Sequence, residues 1–214
     1  MKTKFNKLIV LSLLLTNTML FAQNKGESES FTFAEFKVGY GNSVLGSGLK
    51  EKFDAGHFSS SGGWLASLAA YHKFKKVDYV NFGIKFKSLA AEASKGDNEQ
   101  EMFYNYWGAA ASIKYFPMDK NAKKGLYLQG DYFFVTQFTQ KYTQKSTLAY
   151  TPQYGLGSGF VLGAGYDIPL KGRKSMITVG LEYEIDSRDG EVAGAITETT
   201  YKSTNYGAMI GLKF

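Results

Sequence analysis

The sequence predicts an all-β chain, an eight-stranded antiparallel barrel that crosses a membrane on its strands. Three observations predict it: a two-residue apolar period, links that alternate between short and long, and a polar face whose charges nearly cancel.

The period is clearest at 79–87, where Val80, Phe82, Ile84 and Phe86 share one face and Asn81, Gly83, Lys85 and Lys87 the other. A helix would scatter these side chains around its circumference, whereas a strand sorts them. Ile177, Val179, Leu181, Tyr183 and Ile185 oppose Thr178, Gly180, Glu182 and Glu184 in the same way. Tyr206, Ala208, Ile210, Leu212 and Phe214 likewise oppose Asn205, Gly207, Met209, Gly211 and Lys213. Carried along the chain, the pattern gives strands at 31–42, 63–74, 79–89, 102–116, 125–139, 155–168, 175–186 and 202–214. Most are close to the roughly 9–11 residues that a tilted strand needs to cross a bilayer.

The links after the second, fourth and sixth strands are short (75–78, 117–124 and 169–174). Those after the first, third, fifth and seventh are longer (43–62, 90–101, 140–154 and 187–201). Short turns on the periplasmic side and long extracellular loops describe a barrel of the outer membrane.

A membrane barrel points its apolar face outward, so its polar face must fit a narrow lumen. That face carries Lys37, Lys73, Lys85, Lys87, Lys114 and Lys213 against Glu35, Asp131, Asp167, Glu182 and Glu184. Groups so nearly balanced can neutralise one another. Inward glycines (Gly157, Gly159, Gly163, Gly165) leave room for Tyr71, Tyr104, Tyr106 and Tyr127. Outward aromatics form two expected girdles: Trp64, Phe86, Phe138 and Tyr206 by the long loops, and Phe74, Tyr115, Tyr166 and Phe214 by the short turns. The alternative architecture is a soluble, lipocalin-like barrel, with Val80, Phe82, Ile84 and Phe86 inside.

Lys2, Lys4 and Lys7 precede an apolar run and a small-residue end, the order of a secretory signal peptide removed after Ala22. This divides the chain into a leader (1–22), a short segment (23–30) and the barrel (31–214). Removing the leader lowers the formal charge from +6 to +3, too modest a balance to argue for nucleic acid. With no cysteine there is neither a lipoprotein attachment residue nor a thiolate metal site. Glycine at 24 residues, proline at 3 and aromatics at 16% make a β composition.

With this pattern in place the chain resembles the small outer-membrane β-barrel family of the OmpA and OmpX type, particularly its Bacteroidota branch. The resemblance rests on the leader ending Leu-Phe-Ala-Gln, the eight-strand pattern and the alternating close Tyr206, Ala208, Ile210, Leu212, Phe214. It implies that the barrel-assembly machinery reads these five residues as an insertion signal. It implies no particular activity, because the fold hosts anchors, adhesins, pores, secretion components and enzymes.

Chemistry is sparse. His57 and Ser59 faintly resemble the His-x-Ser pair of barrels that deacylate lipid A, but they fall in a Gly- and Ser-rich loop that cannot hold them in register. His72 stands alone on the outward phase at headgroup level, without partner ligands for a metal. Asp186, Asp189, Gly190 and Glu191 make an acidic loop whose spacing departs from a calcium-binding hand. No cofactor, metal or catalytic site is expected. The three short turns carry Lys75, Lys76, Lys120, Lys123, Lys124, Lys171, Arg173 and Lys174 against Asp78 and Asp119. Such turns either engage anionic headgroups of outer-membrane lipids or only keep the turns soluble. The leading expectation is a non-enzymatic barrel with a plugged interior that meets an extracellular or secretion-complex partner through its loops. A narrow pore is the second reading and a lipid A-modifying enzyme the third.

Overall fold

The computed structural model describes residues 30–45, 61–93, 100–144, 153–192 and 198–214. The expected leader, the pair His57 and Ser59, and most of the first long link lie outside them. Among the described residues, β1 (Phe31–Leu45), β2 (Ser61–Lys73), β3 (Val80–Ala93), β4 (Gln100–Tyr115), β5 (Gly125–Gln144), β6 (Gln153–Pro169), β7 (Met176–Val192) and β8 (Glu198–Lys213) form one closed antiparallel barrel. Each strand pairs with its sequence neighbours. The ring closes where β1 meets β8, from Glu35 opposite Lys213 to Leu45 opposite Ser203. Beyond that ladder, the Ala34 N–H donates to the Phe214 carbonyl at 2.8 Å and the Phe214 N–H donates back at 3.0 Å.

The distribution of apolar groups is inverted relative to a soluble barrel. Leu162, Leu181, Ile84 and Ile210 are exposed on the wall, while the lysines and carboxylates are buried inside. The outward apolar band ends on a ring of aromatics: Tyr40, Trp64, Phe86, Trp107, Phe134, Phe160 and Tyr206. Past that ring polar residues take outward positions at Ser88, Asn105 and Ser187, while Val44 on β1 stays apolar and exposed. The strands continue beyond it, and this corrects the expected boundaries. β7 runs to Val192 rather than 186, and β5 to Gln144 rather than 139. Continued pairing satisfies the backbone N–H and C=O groups there whether or not the side chains are apolar.

One irregularity breaks the period. β5 inserts an extra residue, so that Ala109 pairs with Val135 but Ala110 with Phe133. Before this bulge the odd positions point inward (Tyr127, Gln129, Asp131, Phe133); after it, Thr136 is buried instead. The alternation that assigned Phe138 to the girdle therefore fails. Phe134 holds the girdle position on β5, while Phe138 stands in register with Tyr106, its side chain outside the described residues.

The turn end is closed by the chain itself. The β4–β5 turn folds inward and buries Phe116 and Ala122 against Tyr127. Ala122 has a φ of 53°, unusual for a residue with a Cβ. Asn81 Nδ2 holds it by donating to its carbonyl at 2.8 Å. The Tyr79 N–H donates to Lys120 O, and the Phe116 N–H to Tyr79 O, which tie this turn to the β2–β3 turn.

Candidate functional site

Inward parity on all eight strands delivers the predicted charges to one space. Glu35, Lys37, Lys73, Lys85, Lys87, Lys114, Asp131, Asp167, Glu182, Glu184 and Lys213 are all buried. Asp186 joins them on β7, which the sequence reading missed by placing it in an acidic loop. The described lumen thus holds six lysines and six carboxylates. Matched numbers matter in so narrow an interior, where a charge left unpaired costs several kcal/mol.

The groups are arranged in tiers. At the turn end, Lys213 Nζ donates to Asp167 Oδ2 at 2.8 Å and to the Lys123 carbonyl at 2.6 Å. The same ammonium lies 4.0 Å from the centre of the Phe33 ring and 4.9 Å from that of Phe116. Lys73 donates to the carbonyls of Phe74 and Val77 and so clasps the β2–β3 turn.

Above this floor, Lys114 donates to Glu35 and sits over the Tyr127 ring at 3.8 Å. Lys37 lies 3.1 Å from Glu35 and 3.3 Å from Glu182. Lys85 reaches Asp131 at 2.9 Å and Glu182 at 2.6 Å. Lys87 reaches Glu182 at 3.0 Å and Glu184 at 2.7 Å. Tyr106 donates to Glu184, and Tyr71 bonds Ser112 at 2.8 Å. At the loop end of the network, Asn205 donates to Asp186 at 3.1 Å and accepts from Ser43 at 2.6 Å. Neutral partners supplement the lysines: Gln129 donates to both oxygens of Asp131 at 2.9 and 2.8 Å.

β3 and β7 stand on opposite sides of the eight-membered ring. The contacts of Lys85 and Lys87 with Glu182 and Glu184 therefore cross its full width.

Of the other predicted features, Trp64, Phe74, Phe86, Tyr115 and Tyr166 are exposed on the wall, with Tyr206 and Phe214. Trp107 belongs with them and was missed, although it shares its odd parity on β4 with the outward Tyr115. Ala208, Ile210 and Leu212 share the outward face of β8 with Tyr206 and Phe214. The side chain of Tyr104 lies outside the described residues. His72 is bonded on both ring nitrogens, Nδ1 to Thr32 at 2.9 Å and Nε2 to Ser30 at 3.2 Å, beside the Phe74 ring. Among the described residues no three His, Asp or Glu side chains converge as a metal site.

No family model matches the chain, and no curated protein matches it in sequence. Solved structures do match. Ail, the attachment invasion locus protein of Yersinia pestis, was solved in complex with the heparin analogue sucrose octasulfate. It aligns with a TM-score of 0.52 at 10% identity, over 86% of this chain and 99% of its own. Neisserial surface protein A aligns at 0.47 with 12% identity over 87% and 100% of the two chains. OprG, an outer membrane protein from Pseudomonas aeruginosa, aligns at 0.40 with 12% identity over 88% and 97%. The alignment with Ail spans nearly all of that barrel, and the fold of this chain is that of the small outer-membrane β-barrels.

Proposed function

We propose that the chain is an integral outer-membrane barrel with a plugged lumen, a structural and interaction protein that meets its partner at the loop end and performs no catalysis. The apolar band bounded by aromatics supports the membrane setting, because such a wall would be costly in water. On this reading the barrel-assembly machinery recognises Tyr206, Ala208, Ile210, Leu212 and Phe214 during insertion.

A single observation carries the plug: Lys85 and Lys87 contact Glu182 and Glu184 across the widest part of the ring. An ion or solute passing this level would have to part buried pairs, and each pair broken leaves a buried charge uncompensated. With the lumen occupied and its turn end covered, recognition falls to the strand ends and loops above the aromatic ring, where a rigid scaffold holds variable segments.

Purified barrel reconstituted into planar lipid bilayers tests the reading. No stepwise conductance is expected; regular ohmic steps would replace the plug with a narrow pore. The absence of catalysis is checked separately, by lipid A mass spectra from cells carrying His57→Ala or Ser59→Ala. Both spectra are expected to match the parent, and an altered acylation pattern in either would assign the chain to lipid modification instead.

A further inference from the structure

The outer wall is not uniform. Where β5 to β8 and β1 lie side by side, it is recessed into an apolar groove of about 620 Å³ lined by Val38, Leu126, Ala164, Tyr166, Leu181 and Ala208. Ala164 and Ala208 flank Leu181 in register and put single methyl groups where neighbouring positions carry larger side chains. The backbone of Gly165 and Gly180 lines it further.

The groove has a definite depth. Tyr166 is three residues from the end of β6 at Pro169, and Val179 is three from the start of β7 at Met176. At a rise of about 3.3 Å per residue, Tyr166 and Val179 stand roughly 10 Å from the β6–β7 turn, with Leu126, one residue into β5, nearer the turn end. That depth lies within one leaflet of a hydrocarbon core about 30 Å thick, at the level of acyl chains rather than headgroups.

The rim below it is basic. The β6–β7 turn exposes Lys171, Arg173 and Lys174 and contains no acid, and Lys124 is exposed at the adjacent start of β5. The one acid of the β4–β5 turn, Asp119, accepts the backbone N–H groups of Asn121, Lys123 and Lys124 at 3.0 Å each. On the other side of the barrel the β2–β3 turn carries Lys75 and Lys76. It stands over Phe74 and Ile84, large exposed side chains that fill the wall.

We propose that this sector binds one anionic phospholipid of the periplasmic leaflet, its phosphate held by Lys124, Lys171, Arg173 and Lys174 and an acyl chain laid in the groove past Ala164 and Ala208. The proposal rests on the membrane reading above. It differs from a general annulus of lipid in being stoichiometric, confined to one sector and selective for charge.

Native mass spectrometry of the full barrel, released from detergent after incubation with equal amounts of phosphatidylglycerol and phosphatidylethanolamine, tests it. One retained phosphatidylglycerol is expected. Lys171→Gln/Arg173→Gln/Lys174→Gln should lower its preference over phosphatidylethanolamine by about tenfold or more. Ala208→Trp should reduce retention of both lipids by filling the groove, while Lys75→Gln/Lys76→Gln should change neither. Heat-modifiable gel mobility reports that each variant is folded. Equal retention of the two lipids by the parent, or an equal loss in the Lys75/Lys76 variant, would overturn the site. A dimer that Ala208→Trp dissociates would assign the groove to a second copy and overturn it too. Failure of the parent to insert into vesicles would instead sink the membrane reading, so the two failures are told apart.

Discussion

Lys85 Nζ and Glu182 Oε1 lie 2.6 Å apart although β3 and β7 face each other across the whole barrel. Eight strands enclose a space that two such side chains can span. Glu182 is the hub of this contact, with Lys87 at 3.0 Å and Lys37 at 3.3 Å as well. Glu182→Gln would leave three buried ammonium groups facing an amide. The expected loss is about 3–5 kcal/mol, the cost of breaking a buried pair by removing one partner. Lys37→Met should cost less, because Glu182 keeps two lysines and Glu35 keeps Lys114. Urea unfolding in detergent micelles gives the ranking, and equal midpoints for the two variants would count against the hub.

The same geometry sets the sign of any ion selectivity. Lys85→Ala/Lys87→Ala removes the cationic half of the diametric contact and leaves Glu182, Glu184 and Asp131 with less compensation. This variant is expected to conduct with a preference for cations. Glu182→Ala/Glu184→Ala should conduct with a preference for anions, since Lys37, Lys85 and Lys87 then line the gap. Reversal potentials across a salt gradient should have opposite signs in the two variants. Matching signs would show that ions bypass this tier.

Gly180 is a socket for Tyr127. A methyl group at Gly180 would stand 2.7 Å from the Tyr127 hydroxyl, closer than a carbon atom can approach. That hydroxyl meets Thr178 Oγ1 and Val179 O, both at 3.3 Å. Gly180→Ala should therefore destabilise the barrel by about 1–3 kcal/mol through overpacking. Tyr127→Phe removes the obstructing atom, so adding it to Gly180→Ala should recover part of the loss. A double-mutant cycle on unfolding free energies measures this coupling. A purely additive cycle would remove the socket.

Parity made much of this architecture legible in the sequence. Lys85 and Glu182 could be assigned to one interior because a strand leaves no other face for them. What parity cannot carry is pairing partners. Nothing near Lys87 in sequence points to Glu184, which is supplied by ring closure. Asp186 was misplaced because a run of acids and glycine reads as a loop, whereas here it extends a ladder and Gly159 opposite leaves space for its carboxylate. The bulge at Phe134 and Val135 has no glycine or proline to announce it, and every assignment beyond it on β5 inherited the wrong phase. The inward fold of the β4–β5 turn was hidden for a related reason. Ala122 is held by Asn81, 41 positions away, so a local reading sees only a polar turn.

Lys213 fastens that turn. Its ammonium donates to Lys123 O at 2.6 Å and to Asp167 at 2.8 Å while resting on the rings of Phe33 and Phe116. Methionine is similar in length and keeps the apolar stem, so Lys213→Met removes the donor and the charge with little change in volume. The Lys123 carbonyl and the Asp167 carboxylate then lose a partner at a nearly closed end of the lumen. Each such loss costs about 1–3 kcal/mol, more for the charged group. Part of the cost can be relieved by letting the turn swing outward to water, which would expose Phe116 and Ala122. Amide exchange at Ala122 and Lys123, whose N–H groups donate to Asp119, should therefore accelerate more than exchange in the β1–β8 ladder. Asp167→Asn is the control: it weakens one contact of Lys213 but leaves the carbonyl contact to the turn, and exchange at Ala122 should rise less. If Asp167→Asn frees the turn as much as Lys213→Met does, the bond to the Lys123 carbonyl does not hold it in place.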